Sequence, residues 1–138
     1  MTLEDLLEQL RRDANPAEER HPVDRHPVER HPVERHPVEF SMVQEIIQRH
    51  YHYTPTAFSN GVGADTVDNP AGSNEGSCRI FAFAQLHQLT EAQTLACFGH
   101  FYRDLTADGT DHGNIRTFMR HGWAGIRFSG TALTPRTA

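Results

Sequence analysis

The sequence predicts a mainly α-helical α+β domain: a compact bundle of four or five helices with a small two-stranded β element. Two observations support this class. Apolar residues recur at helical spacing through most of the chain after residue 40, whereas only segments 53–58 and 125–128 have strand character. All eight Phe, all three Tyr and the single Trp lie within residues 40–138. The core is therefore expected from that part of the chain.

The first region, residues 1–14, is predicted to be an amphipathic helix. Thr2 and Asp5 have the spacing of a capping box. Pro16 then stops the helix, because proline blocks its continuation and restricts the residue before it. Four leucines share one face and could dock on the core: Leu3, Leu6, Leu7 and Leu10.

The second region, residues 15–36, is predicted to be a disordered linker rich in Pro and His. One RHPVD unit and three RHPVE units fill residues 20–39. A proline at every fifth position excludes a continuous helix. The single Val of each unit buries too little apolar surface to offset the entropy lost on ordering.

The third region, residues 37–138, is the predicted domain. Its first helix is expected from about 38 to 51, with Pro37 in the first helical position. The extended segment 53–58 follows, and then a Gly-, Asn- and Asp-rich loop at 60–77. A loop of this length inside a compact domain is either functional or mobile.

The next helix is predicted to begin at Cys78 and to be buried on most sides. Periodicity alone leaves open a buried strand over residues 80–84. A further helix is expected to start at the capping box of Thr90 and Gln93 and to continue to Leu105.

The last helix is expected to use Asp111 as its N-cap. Gly122 provides its C-terminal stop. After the short strand at 125–128, residues 130–138 are predicted to be a tail.

Composition excludes several classes of function. The net charge is -5 with His neutral, so general attraction to nucleic acid or to an anionic membrane is not expected. All 13 basic residues are Arg, and without Lys the chain has neither Schiff-base chemistry nor a Walker-type P-loop. The acidic N-terminus lacks the pattern of a secretory signal peptide. These features favour the cytoplasm, with the two cysteines as free thiols.

Three segments resemble the HopJ type III effector family of bacterial proteins. They are TPTAFSNG, then AGSNEGSCRIFAFAQLHQLTEAQTLACFG, then DHGNIRTFMRHGWAGIRF followed by ALTPR. The resemblance covers residues ~37–138 and extends to the Leu-rich start. It implies a bacterial cytoplasmic protein that a type III system secretes, and a host or cytoplasmic protein as partner. It implies no catalytic activity.

Two features depart from the family pattern. Family members have one approach of the form P-x-V-x-F to the second helix, which HPVEF supplies here, and three further copies precede it. The repeat therefore resembles a tandem expansion of that element. The loop at 105–110 is also shorter than the family's, so any site that uses this loop would be altered.

Cys78 and His112 are the candidate catalytic residues. Cys78 follows a Gly-rich turn at a predicted helix start, where backbone N–H groups and the helix dipole lower the pKa of a thiol. His112 could serve as the base. The simpler interpretation is a buried core thiol, because free Cys is among the most buried residue types. A small cysteine-dependent or hydrolytic enzyme is thus the alternative to an interaction protein or secreted effector.

Two polar helix starts supply candidate binding residues. Their backbone N–H groups could bind an anion, although the charge of Glu75 disfavours one and simple capping explains both. A site formed by the 60–77 loop, His112 and Arg116 is one hypothesis, and a binder of a small anion is a third functional class. The candidates are Asn74, Glu75 and Ser77 at one start and Asp111, Asn114 and Arg116 at the other.

Neither a metal site nor a cofactor is expected in the domain. His50 and His52 are two residues apart, and no CxxC or HExxH motif occurs. The histidines of the repeat could bind Ni²⁺ or Zn²⁺ loosely, which we interpret as incidental.

Overall fold

The computed structural model of the chain describes residues 1–13 and 37–136. Within these residues it has the predicted α+β architecture, with six helices where four or five were predicted. The helices are α1 (Leu3–Asp13), α2 (Phe40–His50), α3 (Glu75–Leu86), α4 (Glu91–Ala96), α5 (His100–Arg103) and α6 (Gly113–His121). The strands are β1 (Tyr51–Tyr53), β2 (Phe58–Asn60), β3 (Val67–Asn69), β4 (Arg127–Phe128) and β5 (Leu133–Pro135). The linker predicted at 15–36 lies outside the described residues.

The β structure is more extensive than the predicted two-stranded element. One antiparallel sheet pairs β1 with β5, and a second places β2 between β3 and β4. The predicted element joins segments 53–58 and 125–128, and this pairing is present at Phe58, which pairs with Phe128. Tyr53, at the other end of the first segment, pairs with Leu133 instead. Pro55 separates the two halves of the predicted segment, because its missing N–H cannot contribute to a ladder.

The predicted tail at 130–138 is wrong for the residues that the structure describes. Ala132 and Leu133 are buried, at 4% and 3% exposure. The carbonyl of Ala132 accepts a hydrogen bond from the Thr54 N–H at 2.8 Å. This segment therefore belongs to the core. The sequence does not predict this, because the residues around Ala132 and Leu133 are polar.

The predicted helix from Thr90 to Leu105 breaks into α4 and α5. Gly99 has a positive φ of 60° at the break, a conformation that favours glycine. It also lies close to the backbone of Glu39, where an added Cβ would come within 2.8 Å of the Glu39 Cα. A contact with the start of α2 thus separates α4 from α5, and no local sequence pattern predicts this contact.

The start of α2 also differs from prediction. Pro37 is not helical, and Glu39 is the N-cap. The helix α3 begins three residues before its predicted start at Cys78 and runs to Leu86. Its helical structure excludes the alternative of a strand over residues 80–84.

The Leu-rich helix α1 packs on the core. Leu6 and Leu10 are completely buried, and the predicted capping box is present, since the Asp5 N–H donates to Thr2 Oγ1 at 3.0 Å. The segment before the repeat and the domain after it therefore share one core.

Aromatic rings fill the centre of that core. Phe81 is fully buried, and its ring centroid lies 5.0 Å from that of Phe118 and 5.5 Å from that of Phe98. Such rings contribute much of a small domain's apolar burial. In residues 1–13 and 37–136, the helices are too short and too polar for a membrane-spanning segment.

Candidate functional site

The starts of α3 and α6 meet at a cavity of about 360 Å³. The remaining wall is apolar and comes from other parts of the chain. The polar and helix-start residues in the lining are Asn74, Gly76, Ser77, His112, Gly113 and Asn114. The apolar residues are Phe40, Val67, Phe98, Phe101 and Ile115. The cavity therefore has aromatic rings beside both helix starts: Phe40 lies against Gly76, and the Phe101 ring is 5.4 Å from that of His112.

Asparagine side chains hold the two helix starts together. Asn69 Oδ1 accepts from Asn74 Nδ2 at 2.7 Å and from Asn114 Nδ2 at 2.9 Å. Asn60 Nδ2 donates to Asn114 Oδ1 at 2.9 Å. We call Asn60, Asn69, Asn74 and Asn114 the asparagine network. A single amide oxygen, that of Asn69, thus connects α3 to α6.

Most of this network is removed from solvent. Asn60, Asn69 and Asn114 are 0%, 2% and 8% exposed. Buried amides destabilise a fold unless their hydrogen bonds are made. Among the described residues, the side-chain oxygen of Asn60 has no partner. The hydrogen bonds of Asn69 to Asn74 and Asn114 nevertheless fix the two helix starts relative to each other.

The N-caps of both helices have left-handed backbones. Asn74 has φ 50° and ψ 46°, and His112 has φ 54° and ψ 54°. Residues other than glycine occupy this region infrequently, and such strain clusters at functional sites. Neither side chain caps its own helix. Because the first N–H groups of a helix have no partner within it, donors at both starts are available to a ligand.

Four of the predicted site residues line this cavity, and the other four do not. Asn74, Ser77, His112 and Asn114 are the four in the lining. The carboxylate of Glu75 instead accepts a hydrogen bond from the Tyr53 hydroxyl at 3.1 Å. Glu75 therefore does not oppose an anion in the cavity directly.

Asp111 and Arg116 form an ion pair beside the cavity. Arg116 Nη2 lies 2.8 Å from Asp111 Oδ1, and Arg116 Nη1 donates to the Thr106 carbonyl at 2.8 Å. The prediction that Asp111 caps α6 is therefore wrong, since its carboxylate binds Arg116 and His112 occupies the N-cap. Arg116 fastens the 105–110 loop to α6 and does not line the cavity.

Cys78 lies apart from the cavity lining. Its side chain is 1% exposed, and its Sγ donates to the Thr56 carbonyl at 3.5 Å. Burial raises the pKa of the Cys78 thiol, so the predicted lowering by the helix start is wrong. The desolvation of the thiolate outweighs the lowering of the pKa by hydrogen bonds with Tyr53 and the Thr56 backbone. A catalytic role for Cys78 and His112 stays a prediction.

Cys97 is a core thiol. It is completely buried, and burial raises its pKa to about 12. Its Sγ donates to the Gln93 carbonyl one turn earlier at 3.5 Å.

Sequence reasoning missed Asn60, Asn69, Phe40 and Phe101 as parts of this site. In the sequence, Asn60 and Gly61 form a pair that is a strong turn signal. A buried asparagine and a turn asparagine look alike in sequence. The one available signal is the run of asparagines at 60, 69 and 74 in a loop that precedes a helix.

A separate ion-pair cluster lies at the start of α5. The Glu39 carboxylate accepts from the His100 N–H at 3.2 Å and from the Arg103 guanidinium. Its neighbours Arg103 and His100 lower the pKa of Glu39 to about 2. This cluster anchors α5 to the start of α2. Nowhere in residues 1–13 and 37–136 do three or more His, Cys, Asp or Glu side chains come together to hold a metal.

The model of the family described as HopJ type III effector protein matches residues 28–133. The chain belongs to the HopJ type III effector family. It is similar to the crystal structure of the unknown-function protein VPA0580, with 37% identity and a TM-score of 0.74. That similarity covers 99% of this chain and 95% of the other. Among curated proteins, none matches.

Proposed function

We propose that this HopJ-family protein is an interaction protein and that the cavity between α3 and α6 is its binding site. The observation that carries the proposal is the meeting of two helix starts, joined by the asparagine network, with an aromatic wall. Ligand cavities are typically apolar with a few well-placed polar groups. The volume of about 360 Å³ falls within their usual range.

The arrangement is organised before any ligand enters. Asn69 fixes the two helix starts relative to each other through Asn74 and Asn114. The left-handed N-caps turn the chain so that its donors border the cavity. A rigid site loses less entropy on binding than a mobile one, which favours a specific partner.

Catalysis has weaker support than binding. Cys78 lies outside the lining, and its raised pKa keeps the thiol protonated. His112 does line the cavity, but neither cysteine lines it. The position of Cys78 therefore favours a structural role.

Blocking the cavity tests the proposal. Gly113 lines the cavity, and a Cβ there would meet nothing within 4 Å, so Gly113→Trp adds a bulky side chain at the cavity without a clash at its Cβ. Gly113→Ala is the matched control. A photo-crosslinking residue at position 77 of the full chain should capture a partner in cells.

We expect Gly113→Ala to keep the crosslinked partner and Gly113→Trp to lose it. Equal crosslinking by the two variants would contradict binding through the cavity. Their melting temperatures should agree with that of the parent chain, which would exclude misfolding as the cause of any loss.

We also propose that a type III system delivers the protein from the bacterial cytoplasm to a host cell, as membership of the family supports. A fusion of residues 1–40 to a reporter tests this. The reporter should leave a strain with a competent type III apparatus and stay inside a strain that lacks its ATPase. Retention in both strains would contradict delivery by this route.

A further inference from the structure

We propose that the cavity between α3 and α6 takes one uncharged aromatic side chain of a partner protein. This inference rests on the proposed function and names the group that the partner inserts. It follows from three properties of the lining: its lack of formal charge, its apolar floor inside a polar rim, and its partly exposed aromatic rings.

Formal charges are absent from the lining. Among the residues that the structure describes, it includes no Asp, Glu, Lys or Arg, although these types make up 22% of the chain. The Tyr53 hydroxyl donates to Glu75, and Arg116 pairs with Asp111, so the acidic side chains next to the lining in sequence are engaged elsewhere. An anion and a cation would each leave water for a site without a countercharge, which is strongly unfavourable. The cavity therefore favours an uncharged occupant.

Apolar residues form the floor of the cavity and polar residues form its rim. Phe98 and Ile115 are 2% and 3% exposed, which places them at the closed end. Asn74, His112 and Gly113 are exposed at the mouth. A buried apolar centre inside a polar rim is the usual anatomy of a protein–protein interface, and an aromatic anchor in such a pocket often supplies much of the binding energy. This arrangement favours a side chain of a partner protein.

Aromatic rings of the lining explain why the anchor is aromatic. The rings of Phe40 and Phe101 lie 5.2 Å apart and nearly perpendicular, at 88°, and both are only partly buried. The His112 ring lies 5.4 Å from that of Phe101. Gly76 leaves room for Phe40, since a Cβ there would come within 2.5 Å of the Phe40 Cζ. Another ring would extend this edge-to-face cluster, whereas an aliphatic side chain would gain burial alone.

Three pentapeptides test the charge of the occupant. Each has blocked ends and four glycines, and its central residue is Phe, Glu or Lys. Amide NMR titrations of the full chain at about pH 7.5, where an ordinary imidazole is mostly neutral, measure their dissociation constants. We expect the Phe peptide to bind at least about tenfold more tightly than either charged peptide. Equal or tighter binding of a charged peptide, or no binding of the Phe peptide, would overturn the proposal.

A free aromatic molecule is the competing source of the same ring. Benzyl alcohol carries the ring without a peptide backbone, so its titration distinguishes the two sources. Tighter binding of the Phe peptide than of benzyl alcohol supports a side chain of a partner, because only a peptide can also contact the polar rim. If benzyl alcohol binds as tightly as the Phe peptide or more tightly, the cavity takes a small molecule and the proposal is wrong.

Substitutions at the cavity locate the binding of the Phe peptide. Gly113→Trp should abolish it, and Gly113→Ala should retain it. Ser77→Leu adds an apolar side chain to the cavity from α3 and serves if Gly113→Trp does not fold. Binding of the Phe peptide to both Gly113→Trp and Ser77→Leu with the affinity of the parent chain would place the peptide outside the cavity and overturn the proposal.

The peptide titrations also separate this inference from the proposed function. If Gly113→Trp loses its crosslinked partner but the parent chain does not bind the Phe peptide, the occupant is wrong and the interaction site stands. If the two Gly113 variants capture the partner equally, the proposed function fails, and the titrations of the purified chain decide the chemistry of the cavity separately.

Discussion

Four helices of this protein begin in two different ways. The starts of α1 and α4 are capped by side chains close in sequence: Thr2 with Asp5, and Thr90 with Gln93. The starts of α3 and α6 have left-handed N-caps, Asn74 and His112, whose side chains leave the helix ends uncapped. The first pair satisfies its donors locally. The second pair is held from a distance by the asparagine network and leaves donors at a cavity.

This difference separates helix starts that stabilise the fold locally from helix starts that border the proposed binding site. A capping box needs only residues three apart, so it stabilises a helix wherever the chain places it. An uncapped start needs support from elsewhere, which Asn69 supplies here by accepting hydrogen bonds from Asn74 and Asn114. The uncapped starts are the ones that border the cavity.

The largest effect that we expect concerns Cys78, which lies in the first turn of α3. If the uncapped start activated this thiol, it would alkylate rapidly near neutral pH. We expect both Cys78 and Cys97 to react at least about a hundredfold more slowly in the folded protein than in denaturant, because a buried thiol reacts only after local opening. Their exposed fractions are 1% and 0%.

Mass spectrometry after timed treatment with iodoacetamide at pH 6–7 measures both rates. Fast and selective modification of Cys78 in the folded protein would contradict this expectation and restore the cysteine-dependent enzyme as the leading interpretation.

Asn69→Ala should remove the support of α3 and α6 together. The change deprives the Asn74 and Asn114 amides of their acceptor, so we expect the free energy of unfolding to fall by about 3 kcal/mol. Asp68→Ala is the matched control, since Asp68 is an exposed neighbour in β3 and should cost less than about 0.5 kcal/mol. Urea unfolding measures both variants, and equal losses would mean that the network does not stabilise the fold.

Thr90→Ala should have a smaller and purely local effect. It removes the side-chain oxygen that accepts from the Gln93 N–H at 3.1 Å, a change that typically costs about 1 kcal/mol. Capture of a partner by a crosslinking residue at position 77 should not change, because neither Thr90 nor Gln93 lines the cavity. A loss of binding in this variant would show that the two kinds of helix start are not independent.

The stability of the protein should depend on pH through Glu39, whose carboxylate accepts from the His100 N–H at the start of α5. The pKa of Glu39 is lowered from 4.5 to about 2 in the folded protein. Its contribution is therefore fully present above pH 4.5 and is lost as the pH falls toward 2. We expect Glu39→Gln to lower the melting temperature at neutral pH, with a difference from the parent chain that shrinks over this range. A difference that does not depend on pH would contradict a role for the Glu39 charge.

Deletion of residues 20–34 should have the smallest effect. It removes three of the four repeat units and keeps HPVEF, whose Val38 is buried and whose Glu39 caps α5. We expect almost no change in the melting temperature. A fall of more than a few degrees, about 1 kcal/mol for a domain of this size, would show that these units pack on the core.

The sequence predicts features that depend on near neighbours. The α+β class, both capping boxes, the burial of α1 and the end of α6 at Gly122 follow from periodicity or from residues three or four apart. The sequence also predicts that segments 53–58 and 125–128 form a two-stranded element, of which the pairing of Phe58 with Phe128 is present.

Features that depend on distant contacts could not be predicted in this way. Gly99 breaks a helix because Glu39 approaches it from 60 residues away in sequence. Burial, which only the fold determines, reverses the expected pKa shift of Cys78. Of the predicted site, the polar helix starts were found, but Asn69 joins them from β3, a strand that the sequence does not predict.

The most direct test of the comparison is photo-crosslinking of the full chain at the four helix starts. We predict that a crosslinking residue at position 77 or 113 captures a partner, and that one at the exposed positions 4 or 92, in the first turns of α1 and α4, captures none. Equal capture at all four helix starts, or none at α3 and α6, would contradict the claim that these two uncapped starts form the binding site.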